Sequence, residues 1–205
     1  HRTLLVDVDP QGNAGSALGI RRDESERSIY EVLLDDQPLA EAVRKTELKF
    51  LDLVPASRHL VGAELELAEL EARESRLKRA VDSLAPSYEY VVIDCPPSLG
   101  LLTLNGLVAA QGVIIPLQCE YYALEGLADV LKTIELVRAA ANPGLTVDGI
   151  VLTMFSPNNL ANQVADEIRK TFASQVFQTV IPRNVRLSEA PSHGKPILLY
   201  DVASK

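Results

Sequence analysis

Beginning at residue 4 the sequence reads Leu4-Leu5-Val6-Asp7-Val8-Asp9-Pro10-Gln11-Gly12-Asn13, with two carboxylates directly behind a short apolar run. The residues from Thr3 to Val6 are β-branched or apolar, which predicts a strand buried on both faces of a parallel sheet. In such sheets ligands bind outside the carboxyl ends of the strands, where carboxylate oxygens hold Mg²⁺ or orient water. We therefore expect an α/β fold with a site at the strand edge that carries Asp7 and Asp9.

A second apolar run, Tyr90-Val91-Val92-Ile93, ends on Asp94. It predicts another buried strand, and Cys95-Pro96-Pro97 then takes the chain out of the sheet because proline has no N–H to donate. One Asp behind a strand is most often a turn or capping residue. Three of them behind two apolar strands favour a functional site instead.

The remaining sequence alternates between strand and helix patterns, which predicts a mostly parallel central sheet with helices on both faces. Strands are predicted at 51–55, 113–116, 147–153 and 176–181, and helices at 60–84, 101–110, 124–141 and 160–172. A capping box from Ser28 to Glu31 predicts one further short helix. No repeat or linker divides the 205 residues, so we expect a single domain.

Composition narrows the possible functions. No run of about 18 apolar residues occurs, so we expect a cytoplasmic protein with no membrane partner. Cys95 and Cys119 lie far apart and lack the spacing of a metal site, which favours core thiols. The net charge of −8 repels nucleic acid, so any DNA binding requires a local basic patch.

Four segments together resemble the ParA/Soj family of chromosome-partitioning ATPases. They are Asp7 to Asn13, Val92 to Gly100, Pro116 to Leu127 and Ile181 to Pro196, in family order and at family spacing. The resemblance implies a P-loop NTPase fold of the deviant Walker-A (SIMIBI) type that binds ATP and Mg²⁺. Such a protein forms a homodimer around its nucleotides and then binds DNA without sequence preference. A centromere-binding partner of the ParB/Spo0J type stimulates hydrolysis, and the protein is nucleoid-associated.

The resemblance also implies roles for individual residues. Asp9 matches the catalytic carboxylate that orients the attacking water, and Asp94 matches the Walker B acid that holds Mg²⁺ through water. Asp7 is expected to support the same metal network. The two switch segments match Pro10, Gln11, Gly12 and Asn13, and Pro96, Pro97, Ser98 and Gly100.

Adenine and DNA contacts are carried over in the same way. Adenine is expected between the strand end at Thr153 and Met154 and the loop at Pro182 and Arg183, although Met154 and Phe155 could equally be core. For DNA the matching residue is Arg186, and Lys195 could join it. Many family members carry a DNA-binding arginine near the position of Pro157, but no arginine occurs between 156 and 160 here.

One family motif does not occur in the sequence. The phosphate-binding loop, G-x-x-x-x-G-K-[ST], is absent from residues 1–205, and in the family it precedes the strand that starts here at Thr3. We expect one ParA-type ATPase domain truncated at both ends, without its first strand-loop-helix unit and its final helix. By itself this fragment is expected to be inactive.

Two other functions fit part of the pattern. A MinD-type ATPase that positions a division site or another cargo shares the same class of motifs. A receiver domain of phospho-signalling also places an acid pair and a further Asp behind its strands. Receivers are much shorter, however, and have no long helical segment between these strands.

Residues 1–205 alone are expected to bind Mg-ATP only weakly and not to hydrolyse it. The reason is that backbone amides and lysines of a phosphate-binding loop supply most of the attraction for a triphosphate. Isothermal titration calorimetry with Mg-ATP measures this directly. A micromolar dissociation constant would contradict both the truncation and the role given to the loop.

Overall fold

The computed structural model describes residues 1–20 and 27–204, which form two compact units. The first unit contains 1–110 and 188–202, and the second contains 111–187 and the residues from 203. Each unit has its own hydrogen-bonded sheet, so the described strands form two sheets. Parallel pairing dominates both, which confirms the predicted α/β class. That the two units belong to a single domain stays a prediction.

The sheet of the first unit has the strand order β2-β3-β1-β4. Its strands are β1 (Thr3–Asp7), β2 (Arg44–Lys45), β3 (Leu51–Val54) and β4 (Tyr90–Asp94). Strand β1 lies in the middle and pairs in parallel with β3 and β4, while β2 is antiparallel to β3. Leu4 and Val6 are fully buried, as expected of a central strand.

Six helices of the first unit accompany this sheet. They are α1 (Asn13–Ala17), α2 (Ile29–Leu34), α3 (Leu39–Ala42), α4 (Leu60–Ala68), α5 (Arg76–Leu84) and α6 (Leu101–Ala109). The predicted capping box of α2 is confirmed, because the Ser28 hydroxyl accepts from Tyr30 N and the Glu31 carboxylate accepts from Ser28 N. A core cluster rich in leucine packs between the helices and β1.

The second unit contains a fully parallel sheet with the strand order β5-β6-β7. Its elements are β5 (Gly112–Gln118), α7 (Ala123–Ala140), β6 (Thr146–Phe155), α8 (Asn159–Phe172) and β7 (Val176–Pro182). Helix α8 begins at an Asn158 side chain that accepts from Ala161 N. Two short helices follow, α9 (Val185–Glu189) and α10 (Ile197–Tyr200).

The prediction of one long helix over 60–84 is wrong, because the structure breaks it into α4 and α5. The residues between them form turns, and Ala72 adopts a left-handed conformation with φ of 50°. A buried side chain from α6 stabilises the break: the Asn105 carboxamide accepts from Leu77 N at 3.1 Å and donates to Arg73 O at 2.7 Å. Apolar spacing cannot reveal a break made by a distant polar side chain.

The prediction that β4 is a buried strand is also wrong for one of its faces. The strand itself is where the sequence placed it, but Tyr90 and Val92 are more than half exposed while the alternate residues Val91 and Ile93 are partly buried. Within the described residues β4 hydrogen-bonds to β1 alone, and one of its faces is uncovered. An apolar run predicts burial only when other elements cover both faces of the strand.

Asn105→Ala is expected to lower the free energy of unfolding by about 2–3 kcal/mol. The change strips partners from buried backbone groups at the start of α5, and each unsatisfied group costs about 1–3 kcal/mol. Urea unfolding followed by circular dichroism measures the difference. Asn162→Ala, at an exposed position of α8, is the matched control and should stay within about 0.5 kcal/mol.

Candidate functional site

The carboxyl ends of β1 and β4 lie side by side, as the sequence predicted. Asp7 pairs with Asp94 in the parallel register, and Val8 N donates to Asp94 O at 2.9 Å just beyond the last pair. Two strands separated by more than eighty residues therefore present their acidic ends at one edge of the sheet. The structure brings the three predicted carboxylates of the first unit together around this edge.

Asp7 is fully buried and is held by the backbone of the chain that follows it. Its Oδ1 accepts from Asp9 N at 3.2 Å, and its Oδ2 accepts from Gly15 N at 3.3 Å. Burial raises the pKa of Asp7 to about 6, and the charges of Asp94 and Asp9 act in the same direction. Asp7 thus links the end of β1 to α1, which suits a supporting role in a metal network.

Asp9 lies in a tight turn and is more exposed to solvent than Asp7. Its Oδ1 accepts from Gln11 N at 2.8 Å and its carbonyl oxygen accepts from Gly12 N at 2.9 Å. Gly12 then adopts a left-handed conformation with φ of 59° and begins α1, a backbone that favours glycine. The first switch segment is therefore a turn built by its own aspartate side chain.

Asp94 is the most exposed of the three carboxylates. Partial desolvation and then the nearby charge of Asp9 raise its pKa. Among the described residues no basic side chain forms an ion pair with Asp7, Asp9 or Asp94. Carboxylates that have no basic partner form a donor set that fits a hydrated Mg²⁺ ion.

Direct coordination by many side chains at once is not what the described residues offer. Over 1–20 and 27–204 no group of three or more His, Cys, Asp or Glu side chains is arranged to hold a metal ion. The assignment of Asp94 and Asp7 to metal stays a prediction.

The loop that follows β4 contains the second switch segment. Pro96 is buried, while Pro97 and Ser98 are exposed and Gly100 ends the loop at the start of α6. Burial raises the pKa of the Cys95 thiol to about 12, so this cysteine is no nucleophile near neutral pH. Both cysteines are free, as expected of core thiols.

In the second unit, the two segments assigned to adenine meet. Phe155 pairs with Pro182, and Arg183 N donates to Phe155 O at 2.9 Å. Met154 adopts a left-handed conformation with φ of 49°, and its side chain is 41% exposed. Met154 is therefore not a core residue, whereas Phe155 is partly buried against the core cluster of the second unit. Non-glycine residues in this conformation are strained and cluster at functional sites.

A small cavity lies beside this strand end. Its volume is about 80 Å³, and it is lined by Gln118, Cys119, Glu120, Met154, Phe155, Ser156, Asn158, Ala161 and Arg183. Pockets for drug-sized ligands commonly measure about 300–1,000 Å³. An adenine ring therefore fits here only in part, and the assignment of Thr153, Met154, Pro182 and Arg183 to adenine stays a prediction.

The two predicted DNA-binding residues lie in different units. Arg186 belongs to the second unit and Lys195 to the first, and both are exposed. Arg186 is in the first turn of α9, where its backbone N–H donates to the Asn184 side chain at 2.8 Å. Their assignment to DNA stays a prediction.

Sequence reasoning missed the hydroxyl group that ties the predicted second switch segment to α6. The Thr103 hydroxyl on α6 donates to Ser98 O at 2.6 Å and to Pro96 O at 3.2 Å. A hydroxyl in the first turn of a helix that follows a Pro-rich loop is a weak signal for such a contact. The buried Ser57 hydroxyl has no partner among the described residues, and nothing in the sequence marks it.

The sequence of the chain is similar to those of known proteins. A family model described as an AAA domain matches residues 1–147. The chain is 59% identical over 205 residues to the chromosome partitioning protein ParA of Myxococcus xanthus, covering all of this chain and 72% of that protein. It is 53% identical over 205 residues, again its whole length, to the sporulation initiation inhibitor protein Soj of Bacillus subtilis, of which it covers 81%.

A solved structure supports the same fold. The crystal structure of cobyrinic acid a,c-diamide synthase from Mycobacterium smegmatis with bound ATP analog and magnesium is 40% identical, with a TM-score of 0.82. The match covers 94% of this chain and 78% of that chain. Its bound ligands are properties of that protein.

The fold and the acidic strand edge define a protein of the ParA/MinD-type P-loop NTPase class. Within that class, the chain belongs to the ParA/Soj family of chromosome-partitioning proteins. The resemblance carried by the four sequence segments is therefore confirmed, and the receiver-domain hypothesis is wrong. In the part of the chain that the structure describes, no helix is long and apolar enough to span a membrane.

The contribution of Asp7 to the stability of the chain in metal-free buffer should fall as the pH rises from about 4 to 7. Asp7 has a folded-state pKa of about 6 against 3.8 for the ordinary group. Its contribution is complete below pH 3.8 and is lost as the pH passes 6, because the folded state then holds a buried charge.

Asp7→Asn removes this titration. Relative to that variant, wild type should lose up to about 3 kcal/mol of unfolding free energy over this interval. Urea unfolding of both proteins in EDTA at several pH values measures the effect, and parallel profiles would contradict it.

Proposed function

We propose that this protein is an ATP-dependent switch for partitioning a chromosome or plasmid. Binding of Mg-ATP drives homodimerisation and non-specific DNA binding, and hydrolysis stimulated by a ParB/Spo0J-type partner resets the cycle. The protein works in the cytoplasm on the nucleoid. The observation that carries the proposal is the acidic edge of the first sheet, where Asp7 and Asp94 end paired strands and Asp9 follows in a turn.

The chain's own residues divide the work at this edge. Asp9 is the catalytic residue, since its second oxygen Oδ2 is left to accept a proton from water while Oδ1 is engaged by Gln11 N. Asp94 holds the magnesium ion through water, and Asp7 keeps the backbone of the first switch segment in place. Bound Mg²⁺ supplies charge neutralisation for the phosphates of ATP.

Adenine recognition is assigned to the second unit. The strained Met154 offers an exposed apolar surface, and Arg183 is fixed by its backbone contact with Phe155. Apolar and planar groups of this kind suit contact with a purine face. Because the cavity beside them is small, binding has to widen it, and side-chain movement of Met154 is the simplest route.

The runner-up function is positioning of a different cargo by a MinD-type ATPase. The fold is shared between the two groups, so it does not separate them. Identities of 59% and 53% to the ParA and Soj proteins over all 205 residues favour partitioning. Arg186 in the run from Ile181 to Pro196 adds a residue suited to the DNA backbone.

Asp9→Ala and Asp94→Ala should fail at different steps in the protein expressed from its complete reading frame. Asp9→Ala should keep ATP-dependent dimerisation but lose turnover by about 10²-fold or more, because only water activation is removed. Asp94→Ala should also weaken Mg²⁺-dependent nucleotide binding. Phosphate release and size-exclusion chromatography with ATP separate these outcomes.

The matched control is Asp129→Asn, an exposed carboxylate on α7. It should turn over ATP like the wild type. An Asp9→Ala protein that still hydrolyses ATP, or that no longer dimerises, would show that Asp9 has another role.

Arg186→Glu should abolish retention of random-sequence duplex DNA at moderate salt while leaving basal ATP hydrolysis unchanged. On a protein with a net charge of −8, DNA affinity must come from local cations that double in number when two subunits pair. Binding should therefore require ATP and fall steeply with salt. Gel-shift assays with and without ATP measure both properties.

Lys49→Glu makes the same change of charge at another exposed position and should keep DNA binding. Arg186→Lys should also keep most of it, because a phosphate contact needs charge more than shape. Unchanged binding by Arg186→Glu would place the DNA contacts elsewhere, and ATP-independent binding by the wild type would remove the switch.

A further inference from the structure

The start of α6 is stabilised by a side chain from a different helix. Gly100 is the residue before α6, it supplies no side-chain cap, and the first turn of α6 carries no acidic residue. Glu64 of α4 takes that place, since its Oε1 accepts from Leu102 N at 3.4 Å. A carboxylate at a helix amino terminus satisfies an otherwise unpaired N–H and interacts favourably with the helix dipole.

The Glu64 carboxylate also fills the space where a side chain at position 100 would lie. A Cβ atom added to Gly100 would lie 2.0 Å from Glu64 Oε1 and 2.6 Å from both Cδ and Oε2. The backbone of Gly100 has φ of −91° and ψ of −169°, a conformation open to any residue. Because this carboxylate is the end of a flexible side chain, a residue larger than glycine at this position would push it away from Leu102 N.

This contact lies at the end of the second switch segment. The loop begins at Asp94, is tied to α6 by the Thr103 hydroxyl through Ser98 O and Pro96 O, and ends at Gly100. Thr103 belongs to the same helix as the loop end, so it cannot fix α6 itself. Glu64 contacts the start of α6 from a different helix, α4, whereas Asn105 ties the middle of α6 to α5.

We infer that Glu64 is a positioning residue for the second switch segment, acting through Gly100 and Leu102. The inference rests on the proposed ATPase function. By holding the junction of the loop with α6, Glu64 sets where the segment from Pro96 to Gly100 lies when ATP is hydrolysed. Its loss should slow turnover, because misplacing groups around a reacting centre by about 1 Å can cost about 10²-fold in rate.

The contact is tested by a double-mutant cycle on thermal unfolding. Gly100→Ala should lower the melting temperature by about 2–4 °C in the presence of Glu64, because the methyl group pushes the carboxylate off Leu102 N and that hydrogen bond is lost. In the Glu64→Ala background the same change should cost less than about 2 °C, because the space is free. In the Glu64→Gln background, which keeps the side-chain volume, the penalty should return.

The positioning role is tested on ATP hydrolysis by the protein from its complete reading frame. Glu64→Ala should lower kcat by about tenfold or more and leave KM for ATP within about twofold, since the contact acts on the switch and not on nucleotide affinity. Glu64→Gln keeps the acceptor for Leu102 N and should retain most of kcat. Glu71→Ala removes an exposed carboxylate beyond α4 and should behave as wild type.

Each result points to a different conclusion. An equal Gly100→Ala penalty with and without Glu64 would overturn the contact itself. Normal kcat in Glu64→Ala, with an active wild type, would overturn the positioning role and leave the proposed ATPase standing. An inactive wild type would overturn the proposed function, and the positioning role with it, while the unfolding cycle still reports on the contact.

Discussion

The parallel pairing of β1 with β4 is the constraint on which the first unit depends. It places Asp7 opposite Asp94 at neighbouring strand ends, where two carboxylates repel each other in a partly dry environment. The backbone amides of Asp9 and Gly15 offset part of this cost at Asp7. Asp94 receives no such help from the described residues.

Both loops that leave this edge are fixed by short polar contacts at their ends. The first is a turn closed by the Asp9 side chain and by the left-handed Gly12. The second is tied by Thr103 and ends where Glu64 packs on Gly100. Loops with fixed ends and an exposed middle can change between a small number of arrangements, which is what a nucleotide switch requires.

The proposed DNA binding has to overcome the negative charge of the chain. A net charge of −8 opposes contact with a polyanion, so a few cations have to act together on one surface. Arg186 is the second residue of the short helix α9, and its own amide donates to the Asn184 side chain. This hydrogen bond helps to hold the backbone of Arg186 in one conformation.

Much of the fold was readable from the sequence, because apolar runs and turn residues act over a few positions. The strands that carry Asp7 and Asp94 and the capping box at Ser28 follow from such local chemistry. The position of the three aspartates at one edge of the sheet also followed, since the carboxyl ends of neighbouring parallel strands lie on the same side of a sheet. Motif similarity then assigned the family.

Only the tertiary structure decided the features that depend on distant contacts. Asn105 breaks the helix predicted over 60–84, and its partners are about thirty residues away in sequence. The exposed face of β4, the left-handed Met154 and the carboxylate of Glu64 on Gly100 likewise depend on which elements are brought together. Sequence periodicity reports what each segment can bury, whereas the fold determines what lies against it.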